Sequence, residues 1–294
     1  MGHLAAEKEK HFNMMKAPFS STERDQLVYS LAKDYLPNLG IEKISHDAIN
    51  RYLHPKTFNP RPTSLTTDTG LYRRFLGSLQ NANMKATVIG GAIDGIDNLK
   101  DLLFDFNSKE VLRSYGADWE GLLDVIVKKL NPRGQIRRTP QSLWPKYCKG
   151  ILSSAEFLQQ FNSTEDFYSW VNFFVKDERA RASLPMLISR EIDGFGFALS
   201  CDLLKELGYV EFPKPDVHLR DIFSALNLCD KPKDDYCLFK AIVRVAHNAG
   251  VTPYNADKIF WLIGSGYFYA DEDIGRIPSQ KKQFIEFAKS KLDQ

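Results

Sequence analysis

At 294 residues, with 43% hydrophobic and 26% charged residues, the chain has an ordinary globular composition and the length for one large domain or two modest ones. A net charge of +2 excludes a strongly basic nonspecific binder, although local patches remain open. No apolar run approaches the roughly 20 residues of a membrane span and no secretory signal is legible ahead of the first charged helix, so no membrane partner is expected.

Nearly every segment has helical rather than alternating periodicity, which predicts an all-α fold. His54 through Gly70 holds Pro55, Pro60 and Pro62 among threonines and reads as a connection. It would divide an N-terminal helical extension, 1–62, from a main body, 63–294. Ala86-Thr87-Val88-Ile89 is the best strand candidate, but Gly90-Gly91 directly after it favours a turn. Asn131 to Pro145, with three prolines and three arginines, reads as a second connection. It leads through Ser142-Leu143-Trp144-Pro145-Lys146-Tyr147-Cys148-Lys149 into a helix carrying Ile151, Ala155 and Leu158.

Residues 187–219, LISREIDGFGFALSCDLLKELGYVEFPKPDVHL, carry the most information. An amphipathic helix places Leu184, Leu187 and Ile188 on one stripe, with Ile192 one turn on. It stops at Asp193-Gly194, a pair that accepts positive φ. The chain restarts at Gly196, with Phe197, Cys201, Leu204 and Leu207 on a second helical face, and Gly208 ends that helix. A glycine hairpin between two short helices leaves backbone N–H groups free at the start of the second, where they bind phosphate oxygens without reading sequence. Asp216, between Pro215 and Val217, then opens a helix through Leu219, Ile222, Phe223 and Leu226. Taken alone, such an Asp is an N-cap. Leu238, Ile242, Val245 and Ala246 make another helical face, and Asp257 to Ile263 a third.

Basic clusters stand at Tyr72-Arg73-Arg74 and across Arg133, Arg137 and Arg138; a solvated surface and a binding patch fit both equally well. The four cysteines, Cys148, Cys201, Cys229 and Cys237, show no C-x-x-C pair and no zinc spacing. Free thiols in a reducing cytoplasm are expected, with no side-chain metal site.

The hairpin Ile192-Asp193-Gly194-Phe195-Gly196, followed by Asp216, resembles the helix-hairpin-helix (HhH-GPD) DNA glycosylase superfamily, whose motif is apolar-x-Gly-apolar-Gly and then a catalytic Asp. The resemblance covers about forty residues. It implies two helical subdomains flanking a DNA-binding cleft, one an internal bundle with the hairpin, the other built from the N-terminal part and the C-terminal helices. Asp216 would be the catalytic carboxylate. Gly194, Phe195, Gly196 and Phe197 would grip duplex DNA, and His218 would touch a phosphate. In the bifunctional branch a lysine follows the second hairpin glycine by two residues; that position is Ala198, eighteen residues before Asp216, which implies a monofunctional enzyme. Lys205 and Lys214 nearby leave a lyase step open.

Only two cysteines follow Asp216, so no iron–sulfur cluster is expected, whereas a monovalent cation would bind backbone carbonyls near Ile192 and Gly194. The loop entering the helix at 142–149 resembles the family's DNA-facing segment. Trp144 and Tyr147 would stack there on an extruded base, with core packing as the alternative, and Lys146 or Lys149 would meet phosphate. Asn107, within Phe104-Asp105-Phe106-Asn107-Ser108-Lys109, would fill the gap that the extruded base leaves. Tyr72, Trp119 and Trp261 read as core or interface residues. The chain looks most like a bacterial branch associated with phage defence, whose members remove hypermodified bases such as glucosylated hydroxymethylcytosine; a monomer is expected. A repair glycosylase for a damaged base, a noncatalytic DNA-binding module and a helical interaction scaffold are the alternatives.

Overall fold

Helices begin in this chain where a short polar side chain can accept from the first free backbone N–H groups. The computed structural model, which describes residues 20–54, 63–81 and 88–293, opens with α1 (Ser21–Tyr35) behind a capping box of Ser20 and Glu23. Ser45 caps α2 (His46–Leu53), Thr67 caps α3 (Asp68–Leu79), Asn107 caps α4 (Ser108–Tyr115) and Asp118 caps α5 (Trp119–Leu130). Next come α6 (Leu143–Leu158) and α7 (Thr164–Lys176), the latter capped by Ser163. The expected hairpin is α8 (Ser183–Glu191) and α9 (Phe197–Glu206). Asp216 caps α10 (Val217–Ala225), Asp234 caps α11 (Asp235–Asn248), and Thr252 with Pro253 starts α12 (Pro253–Ser265). An antiparallel ribbon, β1 (Tyr267–Phe268) with β2 (Gly275–Arg276), precedes α13 (Lys281–Leu292). The fold is all-α apart from this short ribbon, which the sequence does not announce.

Two apolar cores organise these helices. The first runs from Leu65 to Phe212 and borrows Phe239 and Val243 from α11. The second joins α1 and α2 to α10 through α13, with Val28, Ile49, Leu219, Phe260 and Phe284 at its centre. Asp25, 1% exposed, accepts from Arg244 Nε at 2.8 Å and from Asn248 Nδ2 at 2.8 Å, and so locks α1 onto α11. The chain crosses from one core to the other between Phe212 and Leu219, both fully buried. Burying one such side chain is worth roughly 1.5–3 kcal/mol, so the crossing segment is held at both ends.

Several expectations change. The boundary placed at residue 62 and the first half of the strand candidate, 86–87, lie outside the described residues; of the other half, Val88 precedes and Ile89 starts a single helical turn, Ile89–Ala92. Leu187, placed on the buried stripe of α8, is 41% exposed, because Leu184, Pro185 and Ile188 already fill the contact with α6 and α7. The basic clusters are largely neutralised: Arg73 holds Asp97 with two hydrogen bonds, Arg133 pairs with Asp94, and Arg138 with Asp124. Among the described residues, no helix is long and apolar enough to cross a membrane.

Candidate active site

Backbone geometry makes the hairpin. The Ile192 N–H closes α8 on the Ile188 carbonyl at 3.1 Å, and the Phe195 N–H turns back to the Ile192 carbonyl at 3.2 Å. Gly194 sits at φ +86°, a conformation that favours glycine. The turn is docked on α6, where Ser153 Oγ accepts the Asp193 N–H at 2.9 Å. Gly150 permits that approach: a Cβ there would stand 2.7 Å from the Asp193 carbonyl oxygen and would also strike Leu79. Gly150→Ala must therefore push the turn off α6. We expect it to cost about 1–3 kcal/mol in a denaturant melt. A Gly150→Ala melt matching the parent's would show the turn to be loosely docked.

At the far side of the turn Gly196 starts α9 with no side-chain cap, and a Cβ on it would meet open space. The Phe197, Ala198 and Leu199 N–H groups have no acceptor among the described residues. The α9 terminus thus presents the donors and the positive end of the helix dipole that an anion seeks. A groove of about 420 Å³ borders the hairpin, lined by Asp193 to Gly196 together with Tyr147, Lys146 and Lys149. At the opposite end of α9, Gly208 (φ +98°) closes the helix, with the Tyr209 N–H on the Leu204 carbonyl and the Gly208 N–H on that of Lys205.

Asp216 stands where the chain passes between the cores. Pro213 and Pro215 are buried and fix the backbone φ on its approach. Its Oδ1 accepts the N–H groups of His218 at 2.8 Å and Leu219 at 3.2 Å. Its Oδ2 has no hydrogen-bond partner among the described residues, and the side chain is half-buried. Burial raises the carboxyl above its ordinary pKa and the charge of Asp257 adds to that; the Leu219 N–H, His218 and Lys214 pull the other way. His218 is pushed down by burial, against the opposing charge of Asp216, which keeps the imidazole neutral near pH 7. Its Nδ1 is buried without a partner among the described residues. The helix α12 comes close here, since a Cβ on Gly264 would lie 2.5 Å from His218 Cβ.

A buried ion network braces this approach. Lys205 Nζ donates to Asp257 Oδ2 at 2.8 Å and lies 3.3 Å from Asp202. Asp257 Oδ2 also accepts the Lys214 N–H at 2.9 Å, while Lys214 Nζ donates to Asp202 at 3.0 Å. Burial works against ionisation of Asp202, but Lys205 and Lys214 overcome it and hold the carboxyl at about 2. Burial likewise opposes the charge on Lys205, and Asp257 and Asp202 overcome it, keeping the ammonium protonated. The two acids that hold Lys214 thus fix the chain two residues before Asp216. The residue patterns of 202–214 alone gave no sign of Asp257, because that carboxylate arrives from α12.

The other expected site residues are scattered. Trp144 and Tyr147 are core residues, 6% and 3% exposed, packed edge to face at 6.2 Å; a ring that stacks on a base needs an open face, and even Tyr147, which borders the groove, is too buried to offer one. Phe195 borders the groove but is also buried, with its ring against Phe75. Phe197 is half-buried and meets Phe239 edge on. Lys146 is exposed on the groove, whereas the Lys149 ammonium lies 5.1 Å from the Trp119 ring. Asn107 caps α4, its Oδ1 engaged by the N–H groups of Lys109 and Glu110. Tyr72 is core, as read from the sequence, and its hydroxyl donates to the Ile151 carbonyl.

No protein-family model matches the chain, and no curated protein does. Among solved structures the chain is similar to an 8-oxoguanine glycosylase/lyase of Methanocaldococcus jannaschii in complex with a 15mer DNA containing 8-oxoguanine. The two are 16% identical, with 80% of this chain and 96% of that one covered and a TM-score of 0.47.

Proposed function

We propose that this chain is a monofunctional DNA glycosylase that hydrolyses the N-glycosidic bond of a modified base and leaves an abasic site. One observation carries the reading: Asp216 has one oxygen clamped by two backbone N–H groups and the other without a partner among the described residues, at the seam between two cores. Breaking a base–sugar bond builds positive charge on the deoxyribose, as glycoside hydrolysis does. A carboxylate fixed before reaction stabilises that charge without reorganising, which is often the largest catalytic contribution. The base must leave the stack first, since the bond is inaccessible in the duplex. The free N–H groups of α9, with Gly194 and Gly196 keeping the backbone open, would take a strand phosphate and set the register; His218 and Lys146 would add contacts.

Water rather than lysine as nucleophile is supported by the state of the lysines. A Schiff base needs a neutral amine, and Lys205 is held protonated between Asp257 and Asp202. Lys214 is paired with Asp202. A monovalent cation fits the hairpin backbone, where the Ile192 carbonyl carries one hydrogen bond, from Phe195, and keeps a lone pair. With the Gly194 carbonyl it would hold the ion, whose charge would help bind phosphate.

For substrate we favour a hypermodified cytosine such as the glucosylated hydroxymethyl base of phage DNA, with a damaged base as the second reading; both rest on the hairpin resemblance. Purified protein is tested on duplexes carrying glucosylated, hydroxymethylated, oxidised, alkylated and unmodified bases, followed by alkaline cleavage. Cleavage at one modified base, with no adduct trapped by borohydride, is the expected result. Binding to every duplex with excision from none would make the chain a noncatalytic DNA-binding module, and trapping would assign it a lyase step.

A further inference from the structure

Exposed aromatic rings stand singly at Phe104, Phe173 and, beside the hairpin, Tyr236, but one group of accessible rings is clustered. That cluster stands on α12 and the β1–β2 ribbon. Trp261, half-buried, lies 5.9 Å from Tyr269 and 6.5 Å from Tyr267 between ring centroids, and Tyr267 and Tyr269 are 6.3 Å apart. Tyr267 and Tyr269 are 40% and 49% exposed. Two cations border these rings, Lys258 buried at 7% exposure and Arg276 exposed. The Lys258 ammonium lies 4.8 Å from the Tyr269 ring and 5.2 Å from Trp261, and donates to Tyr269 Oη at 2.9 Å. The Arg276 guanidinium covers Tyr267 at 4.5 Å. Neither cation pairs with a carboxylate among the described residues, although the ribbon turn carries Asp271, Glu272 and Asp273; Asp271 is taken by Arg51.

Position ties this surface to Asp216. On α12, Asp257 accepts the Lys214 N–H and Gly264 abuts His218. Trp261, four residues after the first and three before the second, shares their face of the helix. The stripe that flanks the Asp216 segment therefore continues into the aromatic cluster.

We propose that Trp261, Tyr267 and Tyr269, with Lys258 and Arg276, form a stacking platform for unpaired nucleobases of the DNA strand beside Asp216. Rings supply stacking that tolerates any base, the exposed Arg276 supplies attraction to the phosphates between bases, and the buried Lys258 holds the Tyr269 ring in place. A closed duplex offers no free base face, so the platform discriminates for extruded or single-stranded nucleotides. Its place rests on the glycosylase reading, but its test reads binding and needs no excision.

Affinity is measured by anisotropy for three labelled DNAs of equal length: single-stranded, single-stranded with contiguous abasic sites, and fully paired. The parent should prefer the base-bearing single strand over the abasic one. Trp261→Leu, Tyr267→Leu and Tyr269→Leu should each weaken base-bearing single-strand binding by roughly 5- to 150-fold and leave the abasic and paired DNAs nearly unchanged. Tyr267→Phe, which keeps the ring, should bind as the parent does. Tyr267→Leu changes an exposed side chain and decides the matter should Trp261→Leu fail to fold. Equal loss on all three DNAs, or no loss on any, overturns the platform; loss of excision with parental binding does so too, and leaves the glycosylase reading standing.

Discussion

Asp216→Asn should abolish excision, by about 10³-fold or more, and leave duplex affinity within a few-fold of the parent. The amide keeps the cap: its Oδ1 can still accept from His218 and Leu219, the two bonds that now fix the carboxylate. What it lacks is the charge that meets the cationic sugar. The parent's rate should also carry an acid limb above the ordinary Asp range, because burial and Asp257 raise the Asp216 pKa and only the ionised form works. The same displacement makes the active carboxylate a burden on folding. A carboxyl raised in the folded state contributes stability that is full below its unfolded pKa and lost as pH rises through the folded one. Asp216→Asn, which keeps the cap and removes the desolvated charge, should therefore gain on the parent in melting temperature as pH rises through that folded pKa, while being inactive. A variant that keeps excision, or that loses it only in step with DNA binding, would make Asp216 a structural cap alone.

The helices, their order and the hairpin were legible because their signals are local. Caps such as Thr252 before Pro253, glycines such as Gly194 and Gly208, and the stripe Leu219, Ile222, Phe223 each lie within a few residues of what they determine. Burial of an aromatic ring is not local. Trp144 follows a proline-rich connection and looks like a loop residue, yet α6 starts at Leu143 and turns the ring into the first core. Trp261 presents the reverse case. Its neighbours Leu262 and Ile263 are fully buried, so the run from Asp257 to Ile263 reads as core, while the ribbon that exposes Tyr267 and Tyr269 is two residues per strand and has no alternating pattern to detect. Asp257 was invisible for the same reason: its partners, Lys205 and Lys214, are 52 and 43 residues away.

Asp257→Ala should be the most destabilising single substitution near the site, at about 3–5 kcal/mol. It removes the main counter-charge of Lys205, whose side chain is 9% exposed, and takes the acceptor from the Lys214 N–H. Asp202 alone, at 3.3 Å, is left to compensate the buried ammonium. Replacing both partners, as in Lys205→Met with Asp257→Leu, should recover much of the loss, since a buried pair costs nearly as much in desolvation as it returns in attraction. Function should not recover with stability, because the Lys214 N–H remains without its acceptor and the approach to Asp216 loosens. The charge effect is separable from that loosening. Asp257 raises the Asp216 pKa, so in Asp257→Asn, where the amide oxygen still accepts from Lys214, the acid limb of the rate should move to lower pH. Acid unfolding gives an independent check. The Asp202 carboxyl, held at about 2, contributes stability above the ordinary Asp pKa that is lost as pH falls through about 2; removing Asp202 should flatten that acid loss of stability. Melts of the single and double variants between neutral pH and pH 2, beside their pH–rate profiles, separate the brace from the charge. A double variant as active as the parent would show that the network supports the fold and nothing more.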